Sequence, residues 1–258
     1  MSMNRVVYSF LILAVFASCA EQYGETYSIK GASSVSRLDG NKLYLSVVEG
    51  EELKNIDSCE VVHGAFSFSG KYDTVRVAML SINDGTPPVL VIEKGDILVN
   101  IDRTGHKVSG TPLNDQLYEY LDRLIQLSNQ RGELGHREIQ MMLEGVDEKT
   151  IAEKLSVEDN ALLMQLDSLE TNFILDNLDN VLGPYAFQLL TSNYNYPVLT
   201  PQIEEILGKA SDKFKGDAYV SWYHSKAKEI MARLRGEIDD NGVSLEPAAP
   251  KDSLTTLE

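Results

Sequence analysis

The sequence predicts an α+β protein: an N-terminal antiparallel β-sandwich or barrel-like domain followed by an all-helical region. Three observations carry this. As far as Ser109, apolar residues occur in short runs that alternate with polar ones, the period of strands with one buried face. From Leu117 onward they recur at spacings of three and four, the period of a helix with one apolar stripe. Between the strand-like runs stand closely spaced turns containing Gly, Asn and Asp, as in sandwiches and barrels. The change of period falls inside Val89–Asp115, so the boundary is set there: 26–111 for the β domain and 112–236 for the helical domain.

Taken in order, Thr26–Lys30 is the first expected strand, with Tyr27 and Ile29 on one face, and residues 31–40 form a Ser/Gly/Asp loop. Lys42–Val48 sets Leu43, Leu45 and Val47 against Tyr44 and Ser46. Ile56–Val62 is a further strand, Phe66 and Phe68 share a face of the next, and Val75–Ile82 precedes a turn rich in breakers at 83–88. Val89–Ile92 is a β-branched apolar run suited to burial. Residues 93–96 form a polar turn with Gly95 free to take positive φ. Ile97, Val99 and Ile101 alternate with Leu98, Asn100 and Asp102, and His106–Ser109 is a short edge strand stopped at Pro112.

Asn114 is expected to cap the first helix, whose apolar face is Leu117, Leu121, Leu124 and Ile125. Helical spacing continues through 138–144, 149–155 and 160–182, the last with a stripe of Leu162, Leu166, Leu169, Phe173 and Leu178. Gly183-Pro184 ends that helix and opens another, and Thr200-Pro201 reads as an N-cap followed by Pro at the first helical position. A last helix from about Asp217 to Arg235 is expected to bury Val220, Tyr223, Ala227, Ile230 and Leu234. Residues 237–258 are acidic and aperiodic, and are expected to be disordered.

Residues 1–18 are set apart as a signal peptide. Arg5 supplies the positive start, and Val6–Phe16 is apolar but too short to span a bilayer comfortably. Phe16-Ala17-Ser18-Cys19 resembles a bacterial lipobox, with Phe16 where Leu is commoner. On that reading Cys19 is acylated, residues 19–25 are a lipidated tether, and the protein is held at a membrane of the cell envelope, facing the periplasm or the cell surface. More than one acyl chain makes such anchoring stable, at about 0.8 kcal/mol per buried methylene. The alternative is an ordinary secretory signal cleaved near Ala17 or Ala20.

The chain has two cysteines and no CxxC, so acylation of Cys19 leaves Cys59 without a partner in the chain. Cys59 then reads either as a thiol that forms mixed disulfides or as a small, half-buried strand residue in IDSCEVV. The formal net charge of -16 repels phosphate backbones and argues against nucleic acid as a partner.

KLYLSVVEG, IDSCEVVHGAFSFSGKY, PPVLVIEKGDILVNID and VSGTPLNDQLYEYL together resemble a domain of unknown function found in Bacteroidetes lipoproteins. In that family the domain precedes a helical connector and a thioredoxin-like domain, in envelope thiol–disulfide interchange proteins. Asp39, Gly40, Asp57, Ser58, Gly64, Phe66, Phe68, Gly70, Glu93, Gly95, Asp96, Gly110, Thr111 and Asn114 hold the places of the pattern. The resemblance covers about 26–121, and more loosely the helices to about 236. It implies no catalytic role for the matched residues, and Asp57, Gly64, Gly95 and Gly110 are explained as turn geometry. The WCxxC of the thioredoxin-like part is absent from these residues, so redox activity is not carried over.

No chemistry-bearing motif stands out elsewhere. His63, His106, His136 and His224 lack the close spacing of metal ligands, and no nucleophile elbow, phosphate loop or dinucleotide glycine motif occurs. No catalytic residue, metal or cofactor is therefore expected. Trp222-Tyr223-His224 and Tyr194–Pro197 carry aromatics that could stack on a sugar, although packing is the commoner use of such residues. Asp73-Thr74-Val75, Asp167-Ser168-Leu169 and Asp252-Ser253-Leu254 resemble a short O-glycosylation pattern, and only the last is expected to be accessible. The leading expectation is a non-enzymatic, lipid-anchored binding or scaffolding protein. The second is an accessory that docks a separate thioredoxin-like protein through Cys59, and the third a glycan-acting enzyme with a hidden carboxylate site.

Overall fold

A computed structural model describes residues 25–50, 52–81 and 87–237. The signal peptide, Cys19 and almost all of the tether and tail lie outside these residues. Among these residues eight strands come first: β1 (Glu25–Ser33), β2 (Lys42–Glu49), β3 (Glu52–Glu60), β4 (Ala65–Tyr72), β5 (Arg76–Ser81), β6 (Val89–Ile92), β7 (Gly95–Ile101) and β8 (His106–Ser109). Six helices follow: α1 (Pro112–Leu143), α2 (Glu148–Asp176), α3 (Leu182–Thr191), α4 (Pro201–Lys209), α5 (Asp212–Lys215) and α6 (Ala218–Leu234). The class is the α+β arrangement that the change of apolar period predicts.

The strands form two sheets of four, ordered β4-β1-β7-β8 and β3-β2-β5-β6. All described strand pairs are antiparallel except one. β1 and β7 run parallel, with Ile29 opposite Ile97 and Gly31 opposite Val99. Alternation shows which face of a strand is buried but carries no sign of its direction, so this pair is a correction to the wholly antiparallel expectation. Ile29, Phe68, Ile97 and Val99 from one sheet share a continuous core with Leu43, Leu45, Leu80, Leu90 and Ile92 from the other. Each fully buried Leu or Ile contributes roughly 1.5–3 kcal/mol.

β1 is longer than expected and takes in part of the Ser/Gly/Asp loop, because the ring of Phe66 covers Gly31 directly across the β1–β4 ladder. A Cβ at Gly31 would overlap that ring, so glycine is needed to seat the phenylalanine. Gly70 and Tyr27 repeat the arrangement farther along the same pair. Asp57 lies inside β3 rather than in a turn. The β2–β3 register shifts beside it, between Leu45 and Ser46, which marks a bulge. Gly64, Gly95 and Gly110 take positive φ, as the turn reading requires.

α1 begins two residues earlier than Asn114. Its N-cap is Thr111, and Pro112 occupies the first turn, where its missing N–H is harmless. α1 and α2 are continuous helices of 32 and 29 residues, where spacing alone suggested shorter pieces. Asp147 caps α2 by accepting from the Thr150 N–H at 3.0 Å. Leu127 and Leu134 of α1 meet Ile151, Leu155 and Leu162 of α2 in a small core of their own. Two residues expected on buried faces are exposed: Ile125 at 56% and Leu234 at 73%. Leu127, not Ile125, points inward, because a helix turns about 100° per residue and it is Leu127 that clusters with Ile151, Leu155 and Leu162 of α2, while Leu124 packs against the main core.

Thr200 and Pro201 open α4 as expected, with the Thr200 hydroxyl accepting from Ile203 N–H at 3.3 Å. Tyr223 of α6 is buried, and its hydroxyl both donates to the Val198 carbonyl and accepts from the Val198 N–H, at 3.1 and 3.0 Å. This fixes the 193–199 segment against α6.

Candidate functional site

The stretch that joins strands to helices builds a latch. β6 is the outer strand of its sheet. Leu80 N–H donates to the Pro88 carbonyl, so Leu90 and Ile92 direct their backbone groups to β5 while Val89 and Val91 direct theirs outward. α1 covers that free edge. The Asn114 side chain accepts from Val91 N–H and donates to the Val91 carbonyl, both at 2.8 Å. One turn later the Tyr118 hydroxyl donates to the Val89 carbonyl at 3.0 Å. Four helical residues rise about 6 Å and two strand residues about 6.6 Å, so the two periods coincide over this contact.

Glu93 completes the latch. Its carboxylate accepts from Leu113 N–H at 2.9 Å, from Asn114 N–H at 3.2 Å and from the Asn114 amide at 3.3 Å. A carboxylate at the first turn of a helix satisfies donors that have no partner within the helix and sits favourably against the helix dipole. Asp115 reaches back to accept from Gly110 N–H at 2.9 Å. The matched pattern already contained Glu93, Gly110, Thr111 and Asn114, but a pattern states no reason. The reason is the closure of a sheet edge by a helix.

Beside the latch, between β8, α1 and α2, lies an open cleft of about 780 Å³. Tyr118, Tyr120, Leu169 and Phe173 give it an aromatic and aliphatic lining, while Lys107, Glu119, Asp122 and Arg123 carry charge around it. Lys107 and Asp122 pair at 2.9 Å across the β8–α1 junction. The rings of Tyr120 and Phe173 stack nearly parallel, 4.0 Å between centroids and 12° apart. The Tyr120 hydroxyl is buried without a hydrogen-bond partner among the described residues. Burial pushes its pKa up, and the charge of Glu170 adds to this. Glu170 is itself raised, first by burial, although the Gln202 amide donating to it works in the opposite direction. His106 meets Tyr118 edge to face at 6.2 Å, and burial lowers its pKa. Such a cleft can hold a ligand by apolar contact and by charge: Leu169 and Phe173 are partly exposed, whereas Tyr118 and Tyr120 are each only 3% exposed. Phe173 lies 53 residues from Tyr120 and 55 from Tyr118, a juxtaposition that only the α1–α2 pairing creates.

The sequence-derived candidates do not converge on this cleft. Cys59 stands half-buried on β3. Burial pushes its thiol up, a hydrogen bond from the Ser67 backbone opposes this, and the charge of Asp57 adds to it. His63 is in a turn with φ of 53°, while His136 and His224 lie on α1 and α6. Among the described residues, no three His, Cys, Asp or Glu side chains are grouped to hold a metal ion. No described helix is long and apolar enough to cross a membrane. Tyr194, Tyr196 and Trp222 are exposed, whereas Tyr223 is core. Thr74 and Ser168 are also exposed, so accessibility does not single out the glycosylation-like triplet of the tail, which lies outside the described residues.

No curated protein and no solved structure matches the chain. One family model does match, over residues 27–117, which include all eight strands apart from the first two residues of β1, and α1 as far as Leu117. The matched stretch thus contains the Val91, Glu93 and Asn114 contacts of the latch, with Tyr118 one residue beyond it, and by this match residues 27–117 of the chain are similar to a domain of unknown function, DUF4369.

Proposed function

We propose that this protein is a lipid-anchored, non-catalytic binding module of the cell envelope, with the cleft between β8, α1 and α2 as its binding surface. The observation that carries the binding part is the composition of the cleft: stacked Tyr120 and Phe173 within a surround of Lys107, Glu119, Asp122 and Arg123. Apolar floors with a few convergent polar groups are the usual make-up of ligand sites. The anchoring part rests on the lipobox-like Phe16-Ala17-Ser18-Cys19.

Docking of a separate thioredoxin-like protein through Cys59 is the weaker reading. A raised pKa keeps the thiol protonated, and the thiolate is the form that attacks a disulfide. A glycan-acting enzyme finds less support still, since the raised carboxylate, Glu170, is not among the residues lining the cleft.

Two measurements test the proposal separately. Metabolic labelling with an alkyne fatty acid should tag the wild-type chain and leave Cys19→Ala untagged; equal labelling of both would remove the anchor. Crosslinking capture from intact envelope should recover a partner with wild type and lose it with the double variant Arg123→Glu, Phe173→Ala. Equal recovery with the two would place the binding surface elsewhere.

A further inference from the structure

We propose that α1 pairs with α1 of a second copy of this chain, antiparallel, about a two-fold axis passing between Gly132 and Gly135. α1 carries two stripes. One, with Leu127 and Leu134, is covered by α2. The other is Ile125, Ser128, Gly132, Gly135, Ile139 and Met142, spaced alternately by three and four residues, the a/d pattern of a coiled-coil seam. Every residue of it is exposed, with Ile125 at 56%, Ile139 at 58% and Met142 at 51%.

The packing of the described residues does not explain the two glycines. Glycine weakens a helix interior relative to alanine. Among the described residues a Cβ at Gly132 or Gly135 would meet nothing within 4 Å, so none of them requires either to lack a side chain. A second helix crossing closely at that point does require it.

The stripe is complementary to its own reverse, as a two-fold interface demands. Turned about the midpoint of Gly132 and Gly135, it sets Ile125 against Met142 of the second copy, Ser128 against Ile139, and Gly132 against Gly135. The flanking charges agree with that register. Arg131 falls opposite Glu138 of the second copy, and the symmetry makes the contact twice. Arg131 already holds Asp159 of α2 at 2.6 Å, which places its guanidinium at the border between the two stripes.

Sedimentation equilibrium of the full chain in mild detergent should show a dimer. Gly132→Leu and Ile139→Lys should each weaken it about tenfold or more while leaving the far-ultraviolet circular dichroism unchanged. A chain that stays monomeric up to roughly 100 μM, or a dimer untouched by both substitutions, overturns the proposal. The register is tested in a Cys19→Ala, Cys59→Ser background. Ser128→Cys mixed with Ile139→Cys should oxidise to a disulfide-linked pair joining the two variants. Neither variant should link to itself, because its two cysteines would lie about 16 Å apart along the axis. Self-linked Ser128→Cys overturns the antiparallel pairing.

Discussion

Asn114 pairs with Val91 as a neighbouring strand would. Its carboxamide oxygen takes the Val91 N–H and its amide nitrogen gives to the Val91 carbonyl, each at 2.8 Å, with no exposure to solvent. A side-chain amide has the donor and acceptor of a peptide group, so one asparagine on a helix ends a sheet that would otherwise leave an open edge.

Replacing Asn114 with Leu keeps the forked shape of the side chain at a larger volume and removes both bonds to Val91, together with the amide's bonds to Thr111 and Glu93, leaving a buried N–H and a buried carbonyl of Val91 unpaired. Each orphaned group costs about 1–3 kcal/mol. Urea unfolding should therefore show a loss of roughly 2–5 kcal/mol. A loss below about 1 kcal/mol would mean that water reaches Val91 and that the latch is not closed in solution.

Glu93→Gln retains an acceptor for Leu113 and Asn114 but removes the charge from the start of α1. The expected cost is about 0.5–2 kcal/mol, diminishing with added salt. An effect independent of salt would assign the Glu93 contribution to packing.

Tyr120→Phe removes a buried hydroxyl that has no partner among the described residues, and keeps the ring stacked on Phe173. The variant should be as stable as wild type or more stable by up to about 2 kcal/mol. Clear destabilisation would show that the hydroxyl holds an ordered water or a ligand within the protein.

Burial lowers the pKa of His106 below its ordinary value, so the unfolded chain binds a proton at a higher pH than the folded one. The stability tied to this group is present above about pH 6.5 and is lost as pH falls through the lower, folded value. His224 is shifted in the same direction, by burial and by Lys228 and Lys215. The melting temperature should therefore drop on acidification below about pH 6.5, and His106→Phe, which preserves the edge-to-face contact with Tyr118, should flatten part of that drop. An unchanged slope in the variant would exclude His106 as a source.

Iodoacetamide should modify Cys59 more slowly in the folded chain than in urea at the same pH, because burial both covers the thiol and keeps it protonated. Equal rates would restore the case for a reactive thiol.

Apolar period and turn composition were enough to determine the class of the protein, the place where strands give way to helices, and most of the strands. They report which face of a local segment meets the core, and that information is written in neighbouring residues. Thr200-Pro201 as a helix start and Ile97, Val99 and Ile101 as a buried face were legible for the same reason. Only the tertiary structure decided the parallel pairing of β1 with β7, the true role of Asn114, the inward turn of Leu127 in place of Ile125, and the cleft. Each depends on a partner distant in the chain: β7 lies more than 60 residues from β1, Val91 is 23 residues from Asn114, and Phe173 is 53 residues from Tyr120. Asn114 shows the limit most plainly. An asparagine after Gly-Thr-Pro-Leu has the chemistry of a cap, and the same donor and acceptor serve equally well to pair with a strand, so its partner is chosen by which backbone groups the folded sheet leaves open.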